Sequence, residues 1–329
     1  MGSGASCVPG KAQARENVAQ RPEDETDITD PGSPTSMSSD PFDDDYEGNY
    51  EGAVFDFEAQ DSKHKGRHGT LTFDDGSVYQ GGIEDDQPCG WGILKLEDGF
   101  GYEGEWSKGK KHGDGTYRYS NGDVYDGEWF HDERNGKGTF TTAHPGGVYE
   151  CYWKDGKKHG HGIYRFGKGK GYEGMYENDE MHGAGVFKYA NGDSYEGEWK
   201  NGKYNGDGTH KLSSGEEYEG EFVDGHKHGH GEYKFHDGST YYGEWHDNKR
   251  HGRGTYRFAD GNVFITIFDQ NNPTGEGALW SRGGRVFIMH DGKTSAHIDQ
   301  SEAEQIAKRL EIPVPPAPDS RNLKAQSPS

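Results

Sequence analysis

The chain has 329 residues, of which 29% are hydrophobic and 54 are glycine, and its formal charge is -22. An average globular protein devotes nearly half of its residues to apolar side chains, so this composition excludes a large compact core. The excess of carboxylates also argues against nucleic-acid binding, which depends on Lys and Arg groups that neutralise phosphates.

Cysteine usage and hydropathy together predict the compartment. The three cysteines, Cys7, Cys89 and Cys151, are too few and too scattered for a disulfide framework or a closed zinc site. No apolar run approaches the roughly 20 residues of a transmembrane helix, and the N-terminus lacks the apolar core of a secretory signal. We therefore expect an intracellular protein in a reducing compartment.

Residues 1–45 are predicted to form a disordered acidic leader, because the segment from Glu23 to Asp45 is rich in acidic residues, Ser and Pro. The leader begins with a possible acylation site, in which Gly2 is the acceptor for N-myristoylation and Cys7 could take a palmitoyl chain. A single myristoyl chain binds membranes only marginally, so stable attachment would need a second anchor. The alternative is an unmodified, flexible leader.

Residues 46–290 are predicted to form a repeat array. The step Tyr-x-Gly recurs about every 23 residues, a period typical of stacked repeats. We predict about ten hairpins, with the first and last degenerate because a terminal repeat faces water rather than another repeat. The step occurs at Tyr79, Tyr102, Tyr125, Tyr172, Tyr195, Tyr218 and Tyr241, with imperfect copies at Tyr149 and Phe264.

Each unit has the pattern of a β-hairpin with two different faces. Tyr125, Gly127 and Trp129 alternate with Asp126 and Glu128, which places rings and glycines on one face of a strand and charges on the other. Glycine weakens a strand, so its repetition indicates that a neighbouring ring needs the space. Turn signals of the Asn-Gly and Asp-Gly type join one hairpin to the next.

The aromatic residues of the array are the candidate structural and binding residues. We expect these rings to pack on the next repeat, and any ring left exposed along the groove to contact a partner. The candidates are Tyr102, Trp106, Tyr125, Trp129, Trp153, Tyr172, Tyr176, Tyr195, Trp199, Tyr218, Phe222, Tyr241 and Trp245.

These recurring sequences resemble the MORN (membrane occupation and recognition nexus) repeat. Tyr-x-Gly-Glu-Trp, Asn-Gly-Lys and His-Gly-x-Gly recur in register over the array. The resemblance implies an all-β fold, namely an elongated, twisted, single-layer antiparallel sheet of stacked hairpins with an aromatic groove along one side. Within the family the chain is most similar to the radial spoke head proteins of cilia and flagella, because an acidic leader runs into Tyr-Glu-Gly at Tyr46 and the array closes with Asn-Pro-x-Gly-x-Gly at Asn272.

Residues 291–329 are predicted to contain a capping helix and a Pro-rich tail. The run from Val286 to Met289 is a predicted final strand, whose apolar edge must be covered by the helix or by a second copy of the chain. Ser301-x-x-Glu304 forms a capping box ahead of a helical apolar pattern, and Pro313 ends the helix. The Pro-rich tail beyond it can be a spacer or a docking peptide, and we favour the spacer.

The sequence contains no residue set with catalytic spacing. His159 and His161, like His228 and His230, are two apart on a strand, as in some metal sites. However, the first His of each pair occupies the repeat's own His-Gly position, where other copies have no second His. We therefore predict no metal, no cofactor and no enzyme activity.

Three functions are compatible with these observations. The first is a non-catalytic scaffold that holds axonemal or cytoskeletal proteins, with a possible homodimer through the C-terminal end. The second is an adaptor tethered to a membrane through Gly2 and Cys7. The third is phosphoinositide binding, which net acidity disfavours and which is supported only by the lysines Lys108, Lys110, Lys111, Lys154, Lys157 and Lys158.

Overall fold

The computed structural model describes residues 67–97, 99, 101–144, 146–167 and 169–315. The predicted acidic leader with Gly2 and Cys7, the beginning of the predicted array up to residue 66, and the end of the Pro-rich tail lie outside the described residues. What the sequence predicts for them stays a prediction.

The described residues form 21 β-strands and one α-helix, which divide between two compact units. The N-terminal unit contains the described residues up to Ser213 together with Val223–Gly225, and the C-terminal unit contains Ser214–Phe222 and the residues from His226 onward. The strands of the N-terminal unit are β1 (Arg67–Thr72), β2 (Val78–Glu84), β3 (Gln87–Lys95), β4 (Gly101–Ser107), β5 (Lys110–Arg118), β6 (Val124–Phe130), β7 (Glu133–Thr142), β8 (Gly147–Lys154), β9 (Lys157–Phe166), β10 (Lys170–Glu177), β11 (Glu180–Lys188), β12 (Ser194–Lys200) and β13 (Lys203–Lys211). The elements of the C-terminal unit are β14 (Glu217–Val223, apart from its last residue), β15 (His226–Lys234), β16 (Thr240–His246), β17 (Lys249–Arg257), β18 (Val263–Asp269), β19 (Asn272–Trp280), β20 (Val286–His290), β21 (Lys293–Ile298) and α1 (Gln300–Leu310).

Strands that follow each other in sequence also lie next to each other in the sheet. From β1 to β13 each strand pairs antiparallel with the next. The same holds from β15 to β21. The prediction of an all-β fold made of stacked antiparallel hairpins is confirmed.

Two kinds of tight turn connect the strands. Asn201 and Gly202 join β12 to β13 and have φ values of 51° and 74°, the type I′ geometry that suits a two-residue hairpin turn. Between hairpins, Gly122 has a φ of 88°, and its N–H donates to the Tyr119 carbonyl at 3.0 Å. The turn at Gly122 is one of the turns between hairpins that the sequence predicts.

A β-bulge shifts the register within the hairpins, which the sequence pattern does not predict. In the β6–β7 pair the register shifts after Gly127, so that Trp129 lies opposite Arg134. Gly136, with a φ of 68°, lies in the shifted stretch of β7, where a left-handed residue accommodates the extra position. The bulge therefore decides which residue of the second strand faces each tryptophan.

The helix α1 is present as predicted, but it begins earlier than the sequence indicates. Asp299 is the N-cap, and its carboxylate accepts a hydrogen bond from the Glu302 N–H at 2.8 Å. The predicted capping box at Ser301 and Glu304 is therefore wrong, because Asp299 supplies the acceptor for the first turn two residues earlier. At 11 residues α1 is too short to span a bilayer, and the described chain has no other helix.

The helix covers the apolar strands that precede it. Ala303, Ile306 and Ala307 of α1 pack with Ile265 of β18 and Ala278 of β19 in a small hydrophobic core. Ile265 follows Phe264 in the same way that the charged Glu219 follows Tyr218, so a normally charged position has become apolar under the helix. The sequence left two ways to cover this apolar surface, the helix or a second copy of the chain, and the structure shows the helix. The possible homodimer therefore no longer has this apolar surface as its support.

Candidate binding surface: an aromatic ladder and its cations

The inner face of the sheet in each unit is the face that carries Tyr125 and Trp129 or their repeat equivalents. The thirteen aromatic candidates are all buried, and none is more than 8% exposed. These rings, which we name the aromatic ladder, are Tyr102, Trp106, Tyr125, Trp129, Trp153, Tyr172, Tyr176, Tyr195 and Trp199 in the N-terminal unit and Tyr218, Phe222, Tyr241 and Trp245 in the C-terminal unit.

Each ladder tyrosine of the Tyr-x-Gly step lies over a pair of glycines, whereas Tyr176 takes the place of a tryptophan. A Cβ added to Gly115 would stand 2.2 Å from the Tyr102 hydroxyl, and one added to Gly104 would stand 2.5 Å from it. The Tyr102 hydroxyl donates to the Glu105 carbonyl at 2.9 Å, which fixes the ring over the glycines. Burial raises the pKa of Tyr102 well above its usual value, so the phenol stays neutral and remains a donor.

Each ladder tryptophan links its own repeat to the preceding one. The Trp129 Nε1–H donates to the Gly115 carbonyl of β5 at 3.0 Å. Its ring meets Tyr102 of the preceding repeat at 5.4 Å and Tyr125 of its own repeat at 5.1 Å, both edge to face. Such pairs are favourable beyond the area that they bury, so the ladder is the core of the sheet rather than an open binding surface.

In both units, cations from the second strands of the hairpins pack on the ladder, which the sequence pattern does not predict. Lys158 is only 5% exposed, its Nζ lies 4.5 Å from the centre of the Tyr149 ring, and burial lowers its pKa. Lys158 lies opposite the ladder ring Trp153 across the bulged strand pair, and Met181 takes the same place opposite Tyr176. Lys111, Arg134, Lys158, Lys227 and Arg250 all lie over aromatic rings in this way.

The second strands of the hairpins contribute a further row of rings that stay half-buried. Tyr119, for example, packs against the buried Tyr117 with ring centroids 4.5 Å apart, but keeps part of its surface open to solvent. We name these rings the groove rings. They are Tyr119, Tyr164, Phe166 and Tyr189 in the N-terminal unit and Tyr233, Phe235, Tyr256 and Phe258 in the C-terminal unit.

The sequence could have pointed to the groove rings. Tyr117 and Tyr119 share the inner face by alternation, and Tyr119 is the one nearer the turn between hairpins, where neighbouring strands end and cover it least. The thirteen candidates, by contrast, are inside the sheet. A partner that approaches the inner face would therefore meet the groove rings before it met the ladder.

The outer face carries mainly charged side chains, with a few exposed rings among them. Trp91, Phe130, Tyr152 and Tyr242 are between 41% and 57% exposed. Scattered apolar side chains of this kind are common on protein surfaces, so we do not interpret them as a second binding site.

An antiparallel sheet of hairpins about 23 residues long, most of them with a tyrosine over two glycines, places the chain among short-repeat β-proteins. The family model of the MORN repeat matches seven segments, and the chain therefore carries seven MORN repeats, as the resemblance implied. The matched residues are 102–124, 125–143, 149–170, 172–194, 195–217, 218–240 and 241–263. No curated protein matched the chain.

Solved structures give only a distant likeness. The SAS-4 (dCPAP) TCP domain of Drosophila melanogaster, in complex with a proline-rich motif of Ana2 (dSTIL), is 15% identical over 54% of this chain and 83% of that chain, with a TM-score of 0.23. The G-box domain of the microcephaly protein CPAP is 8% identical over 68% of this chain and 98% of that chain, with a TM-score of 0.25. At such TM-scores the likeness carries no argument about function.

Proposed function

We propose that the chain is a non-catalytic scaffold that holds partner proteins through the groove rings. The observation that carries this proposal is the contrast between the sealed ladder and the row of half-buried rings beside it. Tyr and Phe rings offer large contact areas at little entropic cost, which is why aromatic residues are enriched in protein interfaces. MORN repeats are in general non-catalytic, and this agrees with a binding role.

We further propose that the assembly is cytoskeletal and belongs to the axoneme of cilia or flagella, as in the radial spoke head type. The support is the sequence resemblance, from the acidic leader to the closing motif at Asn272. A tagged chain expressed in ciliated cells should remain with the detergent-extracted axoneme. Release of the chain with the soluble and membrane fractions would contradict this assignment.

The groove-ring proposal is tested by removing single rings from the inner face and, as controls, from the outer face. Phe166→Ser and Phe258→Ser each remove one groove ring, and Phe130→Ser and Tyr242→Ser are the outer-face controls, at 51% and 57% exposure. Truncation of a central interface residue weakens binding by about tenfold or more. We expect the groove variants to lose partners in quantitative affinity purification while the controls keep them, and the opposite result would move the binding surface to the outer face.

Two of the six lysines behind the phosphoinositide alternative are engaged within the sheet. Lys158 is buried and Lys111 lies over the Trp129 ring at 4.6 Å, so neither offers a free ammonium to a headgroup. We expect no flotation with vesicles that contain phosphatidylinositol bisphosphate beyond that with neutral vesicles. Specific flotation would restore this alternative.

The membrane-adaptor alternative rests on Gly2 and Cys7 alone. Gly2→Ala removes the acceptor for myristoylation. If the chain is an adaptor, the variant should leave the membrane fraction, and an unchanged fractionation would rule this alternative out.

A further inference from the structure

Two histidines from neighbouring strands come together on the outer face of the C-terminal unit. β15 and β16 pair with Gly229 opposite Trp245, so His228 and His246 are cross-strand neighbours. Their ring centroids are 5.0 Å apart. Asp247 follows directly in the turn, and ligand atoms of the three side chains all lie within 4.8 Å of one another.

The backbone holds this cluster in place. Asp247 and Asn248 form the turn between β16 and β17 with positive φ values of 47° and 66°. The Asn248 N–H donates to the Lys227 carbonyl at 3.1 Å, and the Asn248 side-chain oxygen accepts from the Lys227 N–H at 2.8 Å. Two hydrogen bonds thus tie the turn that carries Asp247 to the residue next to His228, so the backbone positions of the cluster are held without an ion.

A third histidine extends the cluster. His251 of β17 has its ring centroid 5.8 Å from that of His246. The His251 Nδ1 lies 3.5 Å from a carboxylate oxygen of Asp269 on the next strand. A carboxylate on one imidazole nitrogen orients the ring and leaves the other nitrogen as a ligand, which is a common arrangement around bound metals.

We propose that His228, His246 and Asp247 bind a divalent transition-metal ion of the Zn²⁺ class, with His251 in reach as the fourth ligand. Two or three imidazoles and one carboxylate form a donor set that suits Zn²⁺, whereas Mg²⁺ and Ca²⁺ prefer oxygen ligands throughout. The ion would join three consecutive strands, β15 to β17, on the outer face.

An earlier repeat has the same backbone arrangement without the same set of ligand atoms. The cross-strand position that His228 and His246 occupy is held by His112 and Phe130 in an earlier repeat, where the two rings pack at 5.3 Å. There the turn is anchored in the same way, with the Asp132 N–H donating to the Lys111 carbonyl at 3.1 Å. Phe130 offers no ligand atom, so that repeat keeps the geometry without the donor set.

The repeat comparison supplies the test. His246→Phe copies a side chain that the array already accepts at the equivalent place, and Asp247→Asn keeps the shape of the turn. His230→Gln is the matched control, because His230 is on the same strand but lies beside Glu221, at 3.8 Å, and outside the cluster. All four full-length proteins are stripped with a chelator and titrated with Zn²⁺ by calorimetry.

We expect the wild-type chain and His230→Gln to bind one Zn²⁺ that His246→Phe and Asp247→Asn bind at least about tenfold more weakly. Co²⁺ in place of Zn²⁺ should give the visible absorption of a tetrahedral site in the wild-type chain and in His230→Gln only. Equal Zn²⁺ binding by all four proteins, or an equal loss in His230→Gln, would overturn the proposal. Matching circular dichroism spectra show that any loss does not come from unfolding.

Discussion

At the scale of single residues, the packing of the sheet depends on glycines, which leave room for the aromatic rings, as much as on the rings themselves. Tyr102 can lie against the strands only because Gly104 and Gly115 leave the space that its ring fills. The hydroxyl bond to the Glu105 carbonyl then prevents the ring from moving aside. A methyl group at either glycine competes directly with a fixed aromatic ring.

We predict that Gly115→Ala destabilises the N-terminal unit by roughly 1–3 kcal/mol, the usual cost of overpacking. The new Cβ would meet ring atoms of Tyr102 at 2.2 to 2.4 Å. Gly167→Ala is the control, because its Cβ meets nothing within 4 Å and its φ is not left-handed. Urea and thermal unfolding, followed by circular dichroism, measure the stability of both variants. Equal stabilities of Gly115→Ala and Gly167→Ala would contradict the space-filling role of Tyr102.

Cys151 shows what happens where a glycine of the pattern is replaced. The thiol is 5% exposed and lies opposite Gly162, and burial raises its pKa to about 12. At pH 8 only about one thiol in ten thousand is then the reactive thiolate. The residue is therefore chemically inert in the folded chain.

We accordingly predict that iodoacetamide at pH 8 labels Cys151 far more slowly than the half-buried Cys89 in the native protein. In denaturant both should react alike, because the burial that raises the pKa is gone. Peptide mass spectrometry gives the two rates separately. Equal native rates would show that the β8 strand opens readily.

At the scale of the secondary-structure elements, the hairpin follows almost directly from the sequence. The Asn-Gly turn at Gly122 and the shared face of Tyr125 and Trp129 both appear as predicted. Alternation and turn chemistry are local, so they can be read from neighbouring residues.

Features that depend on register could not be read in this way. The bulge after Gly127 places Trp129 opposite Arg134, and no local sequence pattern predicts this bulge. For the same reason, the spacing of His228 and His230 suggests a pair on one strand, whereas the structure places His228 beside His246 of the next strand. The cap at Asp299 was missed because Ser301 offered a competing motif of the same kind.

The helix α1 gives a prediction at this scale. Ile306 is fully buried in the core that α1 forms over β18 to β20, whereas Gln305 beside it is exposed. Ile306→Asp places an unpaired charge in that core and should release the helix, at a cost of several kcal/mol. Gln305→Asp should leave the helix in place.

Release of α1 would expose Ile265 and its apolar neighbours to water. We expect Ile306→Asp to bind a hydrophobic dye and to self-associate in size-exclusion chromatography, while Gln305→Asp behaves like the wild type. If Ile306→Asp elutes like the wild type and binds no dye, the helix is not what keeps these strands soluble.

At the scale of the whole molecule, stability is distributed along each unit rather than concentrated in one core. The ladder contacts run from each repeat to the next, as from Trp129 back to Tyr102 and from Trp199 back to Tyr172. With 29% hydrophobic residues the chain lacks the apolar content of a large compact core. Stability in such an array is approximately a sum over repeats and their neighbours.

We predict that Trp129→Ala and Trp199→Ala loosen different parts of the same N-terminal unit. Removal of a buried Trp costs about 3–5 kcal/mol of unfolding free energy. Here we expect each substitution to destabilise mainly the strands that the ring contacts. For Trp129 these are β4 to β6, through Tyr102, Tyr117 and Tyr125, and for Trp199 they are β10 to β13, through Tyr172, Phe187 and Tyr204. Because a nearest-neighbour array lets one segment open while a distant one stays closed, hydrogen exchange should rise around the substituted repeat and stay low at the other. If both variants instead lose protection evenly from β1 to β13, the unit unfolds as one cooperative body, and the rings then stabilise a shared core rather than successive repeats.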